Sequence, residues 1–193
     1  FCVGAVERDK LLQKNYIRSG DYVIGLSSSG IHSNGFSLVR KIIEVNSIDI
    51  YKKSEFDKNK TLAEILMKPT MLYTKAFMAA NKNYKIKSIS HITGGGLIDN
   101  PPRAFNKNLT LKFDMNNFKL PPLFKWLKDK ANISLFELAK TFNCGIGFLI
   151  FADKNDAQEI IKDINKIGYN AFMIGSMIKN DFEKNVVFDG WDF

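Results

Sequence analysis

The feature that most constrains the fold is a strand, a loop and a helix that follow one another within residues 22–43. The apolar run 22–26 (Tyr-Val-Ile-Gly-Leu) predicts a buried strand, and the apolar residues of 36–43 recur at helical spacing. Between them, residues 27–35 read Ser-Ser-Ser-Gly-Ile-His-Ser-Asn-Gly and are named loop 1 below. This pattern requires a sheet that receives the strand and a core that buries one face of the helix.

The composition of loop 1 allows two interpretations. Its nine positions hold two glycines, four serines, an asparagine and one of the chain's two histidines. Free backbone N–H groups beside a helix N-terminus bind anions, and Gly30 and Gly35 permit positive φ or close approach of a ligand. An ordinary turn with Ser33 or Asn34 as the helix N-cap uses the same residue types. The loop alone leaves both interpretations open.

A second concentrated loop, Thr-Gly-Gly-Gly at residues 93–96, is named loop 2. It follows the run 86–92, whose alternation of apolar and polar residues predicts a half-buried strand. Three glycines at this point can form a backbone nest for an anion, although a hinge or a close backbone crossing would use the same residues. Arg103 could add a charged donor or could simply be solvated.

The remaining pattern predicts an α/β or α+β fold in which helices flank a mixed sheet, without a regular βαβ repeat. Further strands are predicted at residues 2–6, 109–113, 148–151, 171–174 and 186–188. Further helices are predicted at residues 61–67, from about 70 to 80, from 121 onward, at 133–139 and at 153–167. The helix that opens at 121 places Phe124, Trp126 and Leu127 in the core.

Length and composition are those of one ordinary globular domain. The chain has 193 residues, 45% of them apolar and 25% charged, and no apolar stretch approaches the 18 residues of a membrane span. The formal charge is +8, but the lysines are scattered and form no compact basic block with interleaved aromatic residues. The charge therefore favours an anionic small-molecule ligand over nucleic acid.

The cysteines and histidines supply few candidates for chemistry. Cys2 and Cys144 lie far apart and form no CxxC motif, which argues against a zinc site and suits a reducing, cytoplasmic setting. Cys144 is interpreted as a small residue beside a tightly packed strand, since a catalytic thiol needs a partner base. His91, at a strand end, is predicted to be a hydrogen-bonded structural residue. The sequence contains no tight cluster of acidic residues that would predict a metal site.

Three segments together carry a family resemblance. They are residues 20–41, which include loop 1, residues 91–103 (His-Ile-Thr-Gly-Gly-Gly-Leu-Ile-Asp-Asn-Pro-Pro-Arg), and residues 141–147 (Thr-Phe-Asn-Cys-Gly-Ile-Gly). In this order and spacing they resemble the C-terminal domain of the phosphoribosylformylglycinamidine cyclo-ligase (AIR synthetase) family. The resemblance extends over essentially the whole chain.

The resemblance also implies a domain organisation. Residues 1–8 would be the last strand or linker of an N-terminal ATP-binding domain, and residues 9–193 would be the C-terminal domain. ATP and Mg²⁺ would be the cofactors, held largely by the N-terminal domain. The full-length protein would be a homodimer with a small-molecule nucleotide substrate and no nucleic-acid or membrane partner, and the C-terminal domain alone would be inactive.

The activity implied is the ATP-dependent cyclisation of formylglycinamidine ribonucleotide to 5-aminoimidazole ribonucleotide in purine biosynthesis. Both loops would then line one cleft. His32 would transfer a proton or stabilise an oxyanion, because histidine titrates near neutral pH. The residues expected to bind substrate or phosphate are Ser28, Ser29, Ser33, Asn34, Gly35, Thr93, Gly94, Gly95, Gly96 and Arg103.

Several alternatives stay open at this point. The chain could belong to a related ATP-using enzyme, namely formylglycinamidine ribonucleotide synthase, selenophosphate synthetase or thiamine-monophosphate kinase. It could be a phosphate-binding or assembly module without activity, since it has no GxxxxGK[ST] motif. Nucleic-acid binding is a third alternative, which a steep salt dependence of affinity would support.

Overall fold

Six strands form one mixed sheet in the computed structural model, which describes residues 3–180 and 184–191. The strands are β1 (Tyr22–Ser27), β2 (Ser88–His91), β3 (Leu109–Asp114), β4 (Ile146–Ala152), β5 (Ala171–Lys179) and β6 (Val186–Asp189). Their order in space is β2-β4-β1-β5-β3-β6. Neighbouring strands are antiparallel, except for the parallel pair β3 and β6. The predicted mixed sheet is confirmed.

Helices cover both faces of this sheet. They are α1 (Phe36–Val45), α2 (Leu62–Leu66), α3 (Thr74–Asn83), α4 (Gly96–Asp99), α5 (Pro122–Ala131), α6 (Leu135–Thr141) and α7 (Ala157–Lys166). Short 3₁₀ turns occur at Arg8–Lys10, Lys14–Tyr16 and Pro101–Ala104. As predicted, α5 buries Phe124, Trp126 and Leu127.

Strand β1 is central because both its edges are paired and both its faces are covered. It lies between β4 and β5 in antiparallel register. Successive side chains alternate between the faces. Val23 therefore packs in a cluster with α1, α2, α4, α5 and α6. Ile24 and Leu26 pack in a second cluster with α3 and α7. This arrangement fixes the end of β1, from which loop 1 continues.

The start of α1 differs from the prediction. Its N-cap is Gly35, at φ 75°, and no side chain caps the helix, so the predicted cap by Ser33 or Asn34 is wrong. A Cβ atom at Gly35 would overlap the ring of Phe142. Close packing on that ring thus requires glycine at the cap, and the first turn of α1 keeps its N–H groups free of a side-chain acceptor.

Helices α3 and α7 begin four residues later than predicted, because hydrogen bonds hold the residues before them in other conformations. Helix α3 begins at Thr74 instead of near residue 70: the hydroxyl of Tyr169 donates to the carbonyl oxygen of Leu72 at 2.8 Å. Helix α7 begins at Ala157 instead of residue 153, since the carboxylate of Asp153 accepts the backbone N–H of Asn155 and residues 154–156 form a turn before the helix.

The strand predicted at residues 2–6 is wrong over its described part, and Cys2 lies outside the described residues. Residues 3–7 have no regular secondary structure. Val3 is 94% exposed and Val6 is 60% exposed, and no described strand pairs with them. Strand propensity measures fit to a paired, half-buried surface, so an apolar run without a partner strand does not form one.

Candidate functional site

From residue 30 onward, the backbone N–H groups of loop 1 have no hydrogen-bond partner in the described chain. The N–H groups of residues 30–38 donate no hydrogen bond to the described part of the chain, and the first to do so is that of Val39, to Gly35 at 3.1 Å. His32 and Gly35 have left-handed φ values of 59° and 75°. Left-handed residues among right-handed ones turn successive N–H groups toward one concave surface. Loop 1 therefore has the backbone of an anion nest at the N-terminus of α1.

The serine side chains of loop 1 are already used to hold it. The hydroxyl of Ser28 is 2.9 Å from its two acceptors, the carbonyl oxygen of Gly30 and the Oδ1 of Asn143. Ser29 donates its hydroxyl to the carbonyl oxygen of Pro69 at 2.6 Å. A hydroxyl has a single proton to donate. The free donors of loop 1 are consequently its backbone N–H groups from residue 30 onward and the side-chain amide of Asn34, not the hydroxyls of Ser28 and Ser29.

Ser33 and Asn34 extend loop 1 toward other segments. The hydroxyls of Ser33 and Thr70 lie 3.2 Å apart. The Oδ1 of Asn34 lies 3.8 Å from the position that a Cβ atom of Gly94 would take. Loop 1 and loop 2 are therefore neighbours.

Asn143 fastens loop 1 to the start of β4, a role that the sequence did not suggest. Its Nδ2 donates to the carbonyl oxygen of Gly30 at 2.9 Å. Its Oδ1 accepts the N–H of Gly145 at 2.8 Å. An N–H can only donate, so the amide cannot be turned the other way. Asn143 lies in the third segment of the family resemblance, residues 141–147. The sequence pattern alone, however, does not show that residue 143 contacts loop 1.

His32 is neutral near pH 7. It is 3% exposed, and its Nε2 accepts the N–H of Ser29 at 3.2 Å. Burial lowers its pKa from 6.5 to about 4, with a smaller contribution from the nearby His91. The hydrogen bond assigns the ring proton to Nδ1, which is buried without a partner in the described chain. The imidazole thus holds loop 1 as an acceptor.

Tyr73 is a second residue that sequence reasoning missed, since it lies in a stretch predicted as helix. Its hydroxyl donates to the carbonyl oxygen of Ser27 at 2.9 Å, and its ring stacks on Phe148 with centroids 5.0 Å apart. Burial raises the pKa of its phenol. A Cβ atom at Gly147 would overlap this hydroxyl and lie 2.7 Å from the Cε1 of His32. Glycine at 147 leaves the space that both rings occupy.

The prediction for His91 is wrong. Its side chain is exposed and has no hydrogen bond in the described chain. Its ring lies 6.4 Å from that of His32 and 5.8 Å from that of Tyr73, measured between centroids. The strand end leaves one side of the ring open to solvent, so no buried partner fixes it.

Loop 2 combines a tight backbone crossing with two free N–H groups. A Cβ atom at Gly96, where φ is 56°, would overlap the carbonyl oxygen of Ala139 in α6. The N–H of Thr93 donates to the Oδ1 of Asn100 at 2.6 Å. The N–H groups of Gly94 and Gly95 donate no hydrogen bond within the described residues. The crossing therefore explains Gly96, and the nest interpretation remains for Gly94 and Gly95.

The expectation that both loops line one cleft stays a prediction, since only some of the candidate residues border the two cavities described next. Ser28, Ser29 and Gly30 line a cleft of about 1320 Å³. Thr93 and Arg103 line a smaller cavity of about 680 Å³.

Two further points concern chemistry that the site does not use. Cys144 is fully buried, and burial raises the pKa of its thiol, as expected of a packing residue. Within residues 3–180 and 184–191, no three His, Cys, Asp or Glu side chains are grouped so that they could hold a metal ion.

Over the same residues, no helix is long and apolar enough to cross a membrane.

Comparison with curated proteins gives relatives named phosphoribosylformylglycinamidine cyclo-ligase. The chain is 44% identical over 184 residues to a phosphoribosylformylglycinamidine cyclo-ligase of Crocosphaera subtropica. The aligned region covers 95% of this chain and 54% of that relative. It is 44% identical over 177 residues to the enzyme of the same name from Burkholderia cenocepacia, and the aligned region covers 92% of this chain and 50% of that relative. The chain spans about half the length of the curated relatives it matches.

Solved structures agree in fold. A thiamine-monophosphate kinase of Stenotrophomonas maltophilia superimposes with a TM-score of 0.63 at 12% identity, over 96% of this chain and 55% of the other. E. coli HypE gives a TM-score of 0.60 at 14% identity, over 96% and 51%. Residues 18–187 match the family described as AIR synthase related protein, C-terminal domain. This match covers most of the 193 residues, and the chain therefore belongs to that family.

Proposed function

We propose that this chain is the C-terminal domain of an ATP-dependent cyclo-ligase that converts formylglycinamidine ribonucleotide to 5-aminoimidazole ribonucleotide. The curated relatives at 44% identity are named for this activity. The structural observation that carries the proposal is the run of unpartnered N–H groups in loop 1, next to the N-terminus of α1. A phosphorylated substrate and a transferring phosphoryl group both require such donors.

In the proposed reaction, the amide oxygen of the substrate's formyl group takes the terminal phosphoryl group of ATP, which leaves as ADP. A nitrogen of the same molecule then attacks the carbon that carries this oxygen, and phosphate departs as the ring closes. The nitrogen loses a proton in the same stage. Protein groups must therefore position a mobile phosphoryl group and stabilise its charge.

The residues of loop 1 divide this work. The N–H groups that follow Ser29 would receive phosphoryl oxygens, and Asn34 and Gly35 would border them at the helix end. Ser28, Ser29 and Ser33 would act mainly through the shape of the loop, because their hydroxyls are bound within the protein. His32, neutral at pH 7, would support an oxyanion through the loop and would not be a general acid.

The nucleotide is proposed from proteins of the same fold, and the metal from the family resemblance of the sequence. A structure of this fold, AaThiL, is described as complexed with AMPPCP and TMP, and T. maritima PurL as complexed with FGAR. ATP binding fits the donor-rich loops. The described residues supply no carboxylate cluster for Mg²⁺. The remaining half of the full-length protein would supply its ligands and the contact of a homodimer.

The experiment that tests this function is an assay of the full-length protein that carries this chain. With ATP, Mg²⁺ and formylglycinamidine ribonucleotide, we expect ADP and 5-aminoimidazole ribonucleotide to form in equal amounts. ADP formation that requires glutamine and the unaminated formyl substrate would instead indicate a synthase. Residues 1–193 alone should release no ADP, and turnover by them would show that the proposed domain division is wrong.

A further inference from the structure

The smaller cavity, of about 680 Å³, is built around β2 and is named the β2 cavity. Strand β2 forms one wall, the segment around Lys14 another, and the turn that carries Arg103 a third. The Lys14 segment is fixed: Asn15 accepts a hydrogen bond from Asn106 at 3.1 Å, and Ile17 is buried in the core. The cavity therefore has ordered walls.

Three buried polar side chains line the β2 cavity with donors that no protein group uses. Ser88 and Ser90 are each 7% exposed, and neither hydroxyl has a hydrogen-bond partner in the described chain. Because they are two positions apart in a strand, they point to the same side of the sheet. Asn100 is 5% exposed; its Oδ1 accepts the N–H of Thr93, and its Nδ2 donates to no described residue.

Most buried polar side chains elsewhere in the described chain have a protein partner, although the Nδ1 of His32 and the Oδ1 of Asn180 have none. Asp21, Ser54, Thr110 and Asn143 are equally buried, and each has a hydrogen-bond partner within the protein. Buried donors normally have a partner, because losing solvent without replacing it is costly. The donors of Ser88, Ser90 and Asn100 have no protein partner because they open into the β2 cavity, where a bound molecule can accept their hydrogen bonds.

The charges around the β2 cavity specify the kind of partner. Lys14 and Arg103 line it, and no Asp or Glu among the described residues does. The larger cleft, by contrast, is lined by lysines and carboxylates alike. Hydroxyl and amide donors together with two cations match an oxyanion, and the guanidinium of arginine binds phosphate with two parallel hydrogen bonds.

We propose that the β2 cavity is a binding site for the phosphomonoester group of a small-molecule ligand, held by Ser88, Ser90, Asn100, Lys14 and Arg103. The site is distinct from the backbone nest of loop 1. It rests on the proposed function only for the identity of the ligand, which would be the ribose 5-phosphate part of the substrate.

The test is calorimetric binding of ribose 5-phosphate to the full-length protein, with ribose and acetate as comparison ligands. We expect ribose 5-phosphate to bind, ribose and acetate not to bind, and inorganic phosphate to compete with ribose 5-phosphate. In R103Q the affinity for ribose 5-phosphate should be about tenfold or more weaker, the loss typical of a charged hydrogen bond. The double variant S88A/S90A should weaken binding several-fold. S134A, which removes a serine hydroxyl that caps α6, should bind as the wild type does.

Each outcome has a separate meaning. Equal affinity for ribose 5-phosphate in wild type, R103Q and S88A/S90A would overturn the site. Increased stability of S88A/S90A with unchanged binding would also overturn it, since the cavity would then hold only water. If the variants lose binding of ribose 5-phosphate but the wild-type protein forms no 5-aminoimidazole ribonucleotide, the site is supported and the proposed function is rejected.

Discussion

The side-chain amide of Asn143 donates to the carbonyl oxygen of Gly30 at 2.9 Å, and this bond joins residues 113 positions apart. The same side chain accepts hydrogen bonds from Ser28 and Gly145. One buried residue thus sets the direction of the chain as it leaves β1. The conformation of loop 1 depends on β4 as much as on its own sequence.

Replacing Asn143 should therefore disorder loop 1. N143D puts a carboxylate oxygen against the carbonyl of Gly30, and we expect a loss of about 2–4 kcal/mol in the free energy of unfolding. In the full-length protein, KM for the amidine substrate should rise about tenfold. Amide exchange of Ser28 and Gly145, followed by NMR, should become faster.

The matched control is T110V, which removes a buried hydrogen bond in β3, away from loop 1. It should lower stability without changing KM or the exchange of Ser28. If N143D and T110V change KM equally, Asn143 contributes only to stability.

Gly147 gives a second prediction. G147A would press a methyl group on the hydroxyl of Tyr73 and on His32, at a cost of about 1–3 kcal/mol for overpacking. The double variant Y73F/G147A should recover part of this loss, because the overlapping oxygen is gone. G25A is the control: its Cβ would contact neighbouring side chains at 3.2–3.3 Å, and thermal unfolding should show a smaller decrease. Equal losses in G147A and G25A would contradict the crowding.

The depressed pKa of His32 predicts a pH dependence of stability. Folding lowers this pKa from 6.5 to about 4, so between these values the unfolded chain binds the proton more readily. Stability should fall as the pH drops from about 6.5 to 4, by at most about 1.4 kcal/mol per pH unit from this group. H32N tolerates the left-handed φ and cannot titrate.

Urea unfolding of wild type and H32N at pH 7, 5.5 and 4.5 measures this difference. The difference in unfolding free energy should shrink as the pH falls. His91 and the carboxylates titrate in both proteins and cancel. A constant difference would show that His32 is not protected from protonation.

The ion pair of Lys87 with Asp21 gives a prediction about the sheet. The two side chains are 12% and 6% exposed. K87M leaves the Asp21 carboxylate buried with the backbone N–H of Arg18 as its remaining hydrogen-bond partner, and a loss of about 3–5 kcal/mol is expected. The pair variant D21N/K87M should lose less than K87M alone. Additive losses in chemical unfolding would contradict a mutual interaction.

Local pattern predicted the parts of this fold that local chemistry decides. The apolar runs correctly located β1 and β4, and the alternating run located β2. The capping box of Thr61 and Glu64 starts α2 where the sequence predicted a helix. Residue 70 was predicted as helix, but the hydroxyl of Ser29 holds the adjacent carbonyl of Pro69, and no local pattern contains that contact. Tertiary contacts here outweigh helix propensity.

The candidate site shows the same division. The glycines of loop 1 and loop 2 indicated correctly where the backbone turns and approaches other segments. Residue type could not indicate that the hydroxyls of Ser28 and Ser29 are used internally, nor that Asn143 and Tyr73 hold the loop. Those roles follow from pairings across the sheet that only the folded chain brings together.

The central claim, that the backbone of loop 1 binds a phosphorylated substrate, is tested most directly by NMR of the full-length protein labelled with ¹⁵N-glycine. Titration with formylglycinamidine ribonucleotide should shift the amide signals of Gly30 and Gly35 in a saturable way, while Gly168 at the end of α7 stays unchanged. Saturable binding that leaves the signals of Gly30 and Gly35 in place would contradict the claim.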